Sequence, residues 1–312
     1  MSGSSKTLIL IAGPTASGKS ALALSLAEAL GTEIVSADSR QIYRGMPITT
    51  AAPTENDLRR VRHHFVGILP PEEYYSASRF RDDATDTINK IMTRHDFAVV
   101  CGGSMMYLDA LCNGIDDIPT VPAEIRTSLQ KEHSEKGNIW LLGLLEKLDP
   151  EYYLKVDKAN IKRVFHAVEI CITAGVPYTS LLTGQNRRKA DHLPWDVVKF
   201  GIRMPRAALF DRINRRVEKM VADGMVDEIR SLSHLRHLNS LNTVGVKEII
   251  RYLDGEWDLE TAKARLAKNT RVYAKKQITW LQRDEDIKWL DTDGYEHTEE
   301  LTKQITTFLE CV

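Results

Sequence analysis

Gly13, Pro14, Thr15, Ala16, Ser17, Gly18, Lys19 and Ser20 fit the pattern G-x-x-x-x-G-K-[ST], a loop shaped to hold phosphate. Glycine at each end lets the backbone curl until its N–H groups face inward, and a helix opening at the end of the loop adds partial positive charge. Lys19 would bring a point charge to the phosphates, and the Ser20 hydroxyl would bind a Mg²⁺ ion bridging them. The pattern does not say which phosphate compound is held. Asp38 is a candidate general base or metal-shell ligand, with a cap on the following turn or helix as its structural alternative. Ser104, directly after Gly102-Gly103, is either a helix N-cap or a hydroxyl turned to the same ligand. Arg212 and Arg216 lie four apart, with Arg215 and Lys219 alongside. On one helix these like charges repel, which favours an anion partner over a solvated face paired with Asp211, Glu218 and Asp223.

A strand, a loop and a helix must position the first eight residues, and the flanking sequence supplies them. Thr7 to Ala12 reads as a short buried strand and Ala21 to Leu30 as a helix stopped by Gly31. Glu33 to Ala37 reads as a second strand, and Phe97 to Cys101 as a third, followed by a helix from about Ser104 to Cys112. Strands alternating with helices imply a parallel sheet covered on both faces. In such a sheet ligands bind beyond the carboxyl ends of the strands, which brings Asp38 and Ser104 toward the loop. Many loops of this type that hydrolyse nucleotides use an Asp at the end of a further strand. Here that strand ends Val99-Val100-Cys101-Gly102-Gly103 without a carboxylate, which disfavours hydrolysis.

After Asn113-Gly114 strand signals fade and helical stretches recur at Ala123–Lys136, Pro150–Lys155 and Asn160–Ala174. The expectation is a helical insertion over 122–187 within an α/β core made of 1–121 and 188–312. Trp195 to Ile202 returns to the sheet, helices span Arg206–Asp223 and Asp258–Arg283, and Ile287 to Leu290 forms a late strand.

The 312 residues, 43% apolar and 27% charged, are enough for a large folded core and exclude a wholly disordered chain. No apolar run is long enough for a membrane span. Four scattered cysteines without a C-x-x-C pair point to free thiols in a reducing cytoplasm, and His63-His64 has no metal-binding spacing. The formal net charge of −1 conceals segregation: seven basic residues and no acid lie between Lys263 and Arg283. There Lys268, Arg271 and Lys275, with Lys276 adjoining, favour a nucleic-acid backbone as partner. A second basic set is Lys155, Lys158, Lys162, Arg163, Arg187, Arg188 and Lys189, against only Asp157 and Glu169. Two such patches suggest a cleft for an extended polyanion.

Longer motifs carry a family resemblance. G-P-T-A-S-G-K-S at 13–20, S-A-D-S-R-Q-I-Y-R-G-M at 36–46, R-H-H at 62–64, Y-S-A-S-R-F at 75–80 and G-G-S-M-M-Y at 102–107 occur in order. D-R-I-N-R-R-V at 211–217, V-G-V-K-E at 244–248 and K-K-Q-I-T-W at 275–280 follow. Over nearly its whole length the chain resembles the bacterial tRNA dimethylallyltransferases (tRNA isopentenyltransferases, or IPP transferases). The resemblance implies a P-loop core with a helical insertion, and transfer of a dimethylallyl group from dimethylallyl diphosphate to the N6 amine of the adenine 3′ of the tRNA anticodon. It implies that the loop holds the diphosphate of a prenyl donor, that Asp38 is the base on the adenine amine, and that Ser104 and Arg216 contact the diphosphate. For the tRNA anticodon stem-loop it implies Asp38, Ser39, Arg40, Gln41, Ser104, Arg126, Lys162, Arg163, Val164, Phe165, His166, Asn242, Thr243, Val244, Gly245, Val246 and Lys247; Lys275 and Lys276 join them from the basic helix. A cytoplasmic monomer with Mg²⁺ is expected. The chain departs from the family at Ser104, where Thr is usual, at Ile48–Pro53, which lacks a Gly and a Lys of I-G-T-A-K-P, and at Val246, where an aromatic is usual. The zinc finger of eukaryotic relatives is not expected. Competing readings are an adenylate isopentenyltransferase, for which so long a basic face is unnecessary, and a P-loop kinase or nucleotide-hydrolysing RNA-binding module.

Overall fold

Continuous burial along the first strand decides the architecture. The computed structural model describes residues 6–116, 118–182, 193–293 and 297–311. β1 (Thr7–Ala12) sends Leu8, Leu10 and Ala12 into one core and Ile9 and Ile11 into another. A strand buried on both faces belongs in the middle of a parallel sheet with helices on each side. α1 (Lys19–Ala29), β2 (Ile34–Ser36), α2 (Pro47–Thr50), α3 (Glu55–Arg60), β3 (His63–His64), α4 (Ala77–Met92), β4 (Phe97–Gly102) and α5 (Met105–Asn113) follow β1. A helical stretch then supplies α6 (Ala123–Leu148), α7 (Pro150–Lys155), α8 (Ile161–Ala174) and α9 (Tyr178–Leu181). β5 (Asp196–Arg203), α10 (Arg206–Ala222), α11 (Met225–Ser231), α12 (Val246–Leu253), α13 (Leu259–Leu281), β6 (Ile287–Asp291) and α14 (Thr298–Glu310) complete the order.

The six strands lie in the order β3-β2-β4-β1-β5-β6, every neighbouring pair parallel, so the expected α/β sheet is present. Leu22, Leu26, Leu301 and Ile305 of α1 and α14 fill one face; Phe80, Ile88, Leu111, Ile249 and Leu266 are among those filling the other. α4 has no counterpart in the sequence reading. Its buried stripe of Phe80, Ala84, Ile88 and Ile91 keeps helical spacing, but Arg79, Arg81, Asp82 and Asp83 crowd its first turns. Ser76 caps it, accepting from the Arg79 N–H at 3.1 Å.

The chain divides into two compact units, Met1–Cys112 with Leu193–Val312 and Asn113–His192. The second contains the helical segment expected from sequence and has its own core, including Leu129, Leu141, Leu145, Val164 and Val168. Its first helical run ends at Lys136, as the sequence leads one to expect. Gly137 breaks it, with φ 77° and ψ −175°, values that the missing side chain permits, and a further helical run beyond it extends α6 to Leu148. Among the described residues no helix is long and apolar enough to cross a membrane.

Candidate active site

The eight-residue loop joins β1 to α1 and leaves the start of that helix open. Gly18, at φ 93°, is the N-cap; no side chain caps it, and the first turn carries no acid. The partial positive charge of α1 therefore faces whatever occupies the loop. Ala16 also has a positive φ, 65°, which a residue with a side chain keeps only when its surroundings hold it there. Arg212 provides that hold, its Nε donating to the Ala16 carbonyl at 2.9 Å. Lys19 Nζ meets the Pro14 carbonyl at 3.4 Å and has no carboxylate at ion-pair distance among the described residues.

Asp38 extends from the carboxyl end of β2. Its Oδ1 accepts from the backbone N–H groups of Arg40 at 2.9 Å and Gln41 at 3.3 Å, so the capping alternative is realised while the carboxylate still lines the central cavities. Ser104 caps nothing with its hydroxyl; Oγ accepts from the Ser39 N–H at 2.8 Å, joining the two strand ends. Gly102 makes that closeness possible. A Cβ there would lie 2.2 Å from the Ala37 carbonyl oxygen, a distance no real side chain tolerates.

The four basic residues of α10 do not act as one face. Arg215 pairs with Asp211 at 2.7 Å and Lys219 with Asp223 at 3.0 Å, as the solvated alternative requires. Arg212 instead binds the loop, and Arg216 makes no hydrogen bond or ion pair with any described residue. Burial lowers the pKa of both Lys19 and Arg216, and each feels the Asp38 carboxylate working in the opposite direction. Two desolvated cations that share one nearby carboxylate gain from an incoming anion. Cys101 sits at the strand end that lacks an acid, and burial pushes its thiol pKa up to about 11, keeping it neutral.

Two adjoining cavities meet here. The first, about 330 Å³, is lined by Asp38, Ser39, Arg40, Thr49, Ser104, Asn242, Thr243, Val244, Gly245 and Lys247, among others. The second, about 80 Å³, is lined by Lys19, Ser20, Gln41, Ala51, Cys101 and Gln277. Thr15, Asp38, Thr50, Arg216 and Tyr273 line both. A third, about 790 Å³, opens outward past Gly18, Lys19 and Ser20 between Arg60, Arg212, Arg215, Arg216 and Lys219. Hard oxygen donors, the Ser20 hydroxyl and the Asp38 carboxylate, face the second cavity, and Mg²⁺ takes only one or two such protein groups beside phosphates and water. The residues present therefore fit that ion.

Elsewhere the sequence candidates separate. Lys268, Lys275 and Lys276 are exposed on α13, and Arg271 donates to Asn214 Oδ1 at 2.6 Å. Lys263 leaves the acid-free stretch: Glu218 of α10 pairs with it at 2.6 Å, a partner that counting along one helix does not find. Val246 is buried, so its place in the V-G-V-K-E stretch is one of packing, and Glu248 ties that turn by accepting from the Gly245 N–H at 2.7 Å. In the second unit Val164 is likewise buried in the core, while Lys162, Arg163 and His166 are exposed. Arg126 and His166 both bind Glu169, a buried carboxylate, at 2.9 Å. Lys155 pairs with Glu151, and Lys158 lies over the Tyr153 ring. Arg187, Arg188 and Lys189 lie outside the described residues.

Gln277 escapes sequence reasoning. It is 2% exposed, accepts from the Thr15 N–H at 2.9 Å and donates to the Gly103 carbonyl at 2.8 Å. The signal available was its register: Ala267, Ala274, Gln277 and Leu281 repeat at core spacing, and only one of them is polar.

Residues 41–284 match the family model described as IPP transferase. A protein named tRNA dimethylallyltransferase 1 from Bacteroides thetaiotaomicron is 50% identical over 283 residues, spanning 91% of each chain. The protein of the same name from Bacteroides fragilis is 47% identical over 306 residues and 98% of each chain. Among solved structures, the full-length tRNA isopentenylpyrophosphate transferase of Bacillus halodurans superposes with a TM-score of 0.70 at 32% identity, covering 98% of this chain and 97% of that one. A eukaryotic dimethylallyltransferase described as acting on tRNA gives a TM-score of 0.79 at 23% identity over 98% of this chain and 80% of its own, a likeness of fold.

Proposed function

The chain belongs to the IPP transferase family, and from that premise we propose that it transfers a dimethylallyl group from dimethylallyl diphosphate to the N6 amine of the adenine 3′ of the anticodon in tRNA, as a cytoplasmic monomer. The observation that carries this reading is the wall common to the two central cavities, where Asp38 and Arg216 stand within each other's electrostatic reach.

The phosphate loop would hold the donor's diphosphate in the smaller cavity, with the adenine entering the larger. The Ser20 hydroxyl would hold Mg²⁺, which adds positive charge beside the departing diphosphate. As the allylic carbon–oxygen bond breaks, carbon becomes cationic and negative charge collects on the leaving group. Lys19, Arg216 and the open amides of the loop lie where that charge develops, and groups fixed there in advance lower the barrier most. The adenine amine is a weak nucleophile because its lone pair is delocalised into the ring. Asp38 would accept its proton as the new carbon–nitrogen bond forms. Two backbone N–H donors on Oδ1 fix the carboxylate and leave Oδ2 for that proton. The acceptor base must leave its stack to enter the cavity, and the exposed lysines of α13 supply charge for the RNA backbone.

Incubating the purified chain with radiolabelled dimethylallyl diphosphate and either unmodified tRNA or AMP tests this. Label should enter tRNA. Label in AMP alone would make a free nucleotide the acceptor, and brisk ATP turnover without label would overturn prenyl transfer.

A further inference from the structure

The number of phosphates a loop accepts is limited by its open amides and by the space in front of them. Two amides of this loop are already engaged: Thr15 N–H donates to Gln277 Oε1 at 2.9 Å, and Ser17 N–H to the Pro14 carbonyl at 3.2 Å. Gln277 comes from α13, far away in sequence, and is fixed at its other end by the Gly103 carbonyl. It lies so near Gly103 that a Cβ there would meet Gln277 Nε2 at 2.5 Å, with the Gly13 carbonyl and Lys19 Cε both 3.5 Å away. The corner between Thr15, Gly103 and the Lys19 stem is thus filled by a buried amide. Across the small cavity, Asp38 adds a negative charge that resists further anionic groups.

We propose that Gln277 is a positioning residue that fits the phosphate loop to two phosphates and excludes a third. This rests on the reading that the loop holds the donor's diphosphate. To reach the Thr15 amide, a third phosphate must displace a side chain that is hydrogen-bonded at both ends and leave the Gly103 carbonyl without its donor. The same side chain ties the loop at Thr15 to Gly103, just past the end of β4.

Calorimetric titration of the full chain with inorganic diphosphate and with inorganic triphosphate, each with Mg²⁺, reads the effect directly. The unsubstituted chain should prefer diphosphate by about tenfold or more. In Gln277→Ala the preference should fall below about threefold and the KM for dimethylallyl diphosphate should rise, with the KM for tRNA unchanged within about twofold. Gln277→Glu keeps an acceptor for the Thr15 N–H and loses the donor to Gly103. It should weaken both anions yet retain the preference, which a general loosening of the fold would not do. A preference preserved in folded Gln277→Ala, or lost in Gln277→Glu, overturns the proposal. If the unsubstituted chain and Lys19→Ala bind diphosphate equally, the underlying reading of the loop falls instead, and this assignment falls with it.

Discussion

Arg216 in the first unit and Arg126 in the second are both helical arginines named from sequence as functional, yet their surroundings are opposite. Arg126 is held by Glu169, whose side chain is only 5% exposed, through hydrogen bonds at 2.9 and 3.1 Å, and His166 holds the same carboxylate. Arg216 has no ion-pair partner among the described residues, and burial lowers its pKa. A desolvated cation without an ion-pair partner is a cost to the folded state that a nearby carboxylate offsets in part and an anionic ligand offsets further, whereas a cation bound to a buried carboxylate is part of the framework. Charge alone does not separate the two; the partner does.

Substitution at the wall shared by the cavities should have the largest effect. Asp38→Ala is expected to lower the transfer rate by about 10²–10⁴-fold with donor binding largely intact, measured by single-turnover labelling of tRNA and by donor titration. Near-normal turnover would remove the base from the mechanism. Next, Arg216→Met should reduce kcat by about 10²–10³-fold while the melting temperature holds or rises, because a half-buried charge without an ion-pair partner is gone. Arg126→Met should do the reverse, destabilising the chain by about 3 kcal/mol, at the low end for a broken buried pair because the guanidinium is partly exposed. If both variants melt alike, the contrast between the sites fails.

A pH series sharpens the same contrast. Burial by itself would raise the pKa of Glu169, but the hydrogen bonds and charges of His166 and Arg126 outweigh it and hold the value below that of a free glutamate. The unfolded chain therefore takes up this proton first as pH falls. The stabilisation is complete above the unfolded value and is lost as pH drops through the folded one. Melting scans should show this acid-side loss in the unsubstituted chain and a smaller one in Arg126→Met. The least effect is expected from Lys276→Ala on the exposed face of α13. It should weaken tRNA binding modestly and reduce the salt dependence by about one ion, with kcat unaffected.

Sequence reveals this molecule best where its constraints are local. The loop at Gly13–Ser20 and the carboxylate at Asp38 are legible because glycine spacing and strand ends are written in consecutive residues. The parallel sheet follows from the same rhythm of strand and helix. What escapes is pairing across distance. Glu218 neutralises Lys263 from another helix, Glu169 binds both Arg126 and His166, and Gln277 reaches a loop 262 positions away. Each of these residues is ordinary in its own helix and acquires its role only when the fold sets it beside its partner. α4 was missed for a different reason, since charges crowd its opening turns and mask a regular buried stripe.

Gly102 has a consequence that reaches beyond its own strand. Because a Cβ there would collide with the Ala37 main chain, the spacing between Asp38 and the Gly13–Ser20 loop is fixed by contact of one peptide unit with another. No rotamer change can absorb an added methyl, so even the mildest replacement would move Asp38 relative to the loop. Efforts to broaden the range of acceptors would do better to reshape the walls at Thr49 or Met220, leaving that hinge of distances untouched.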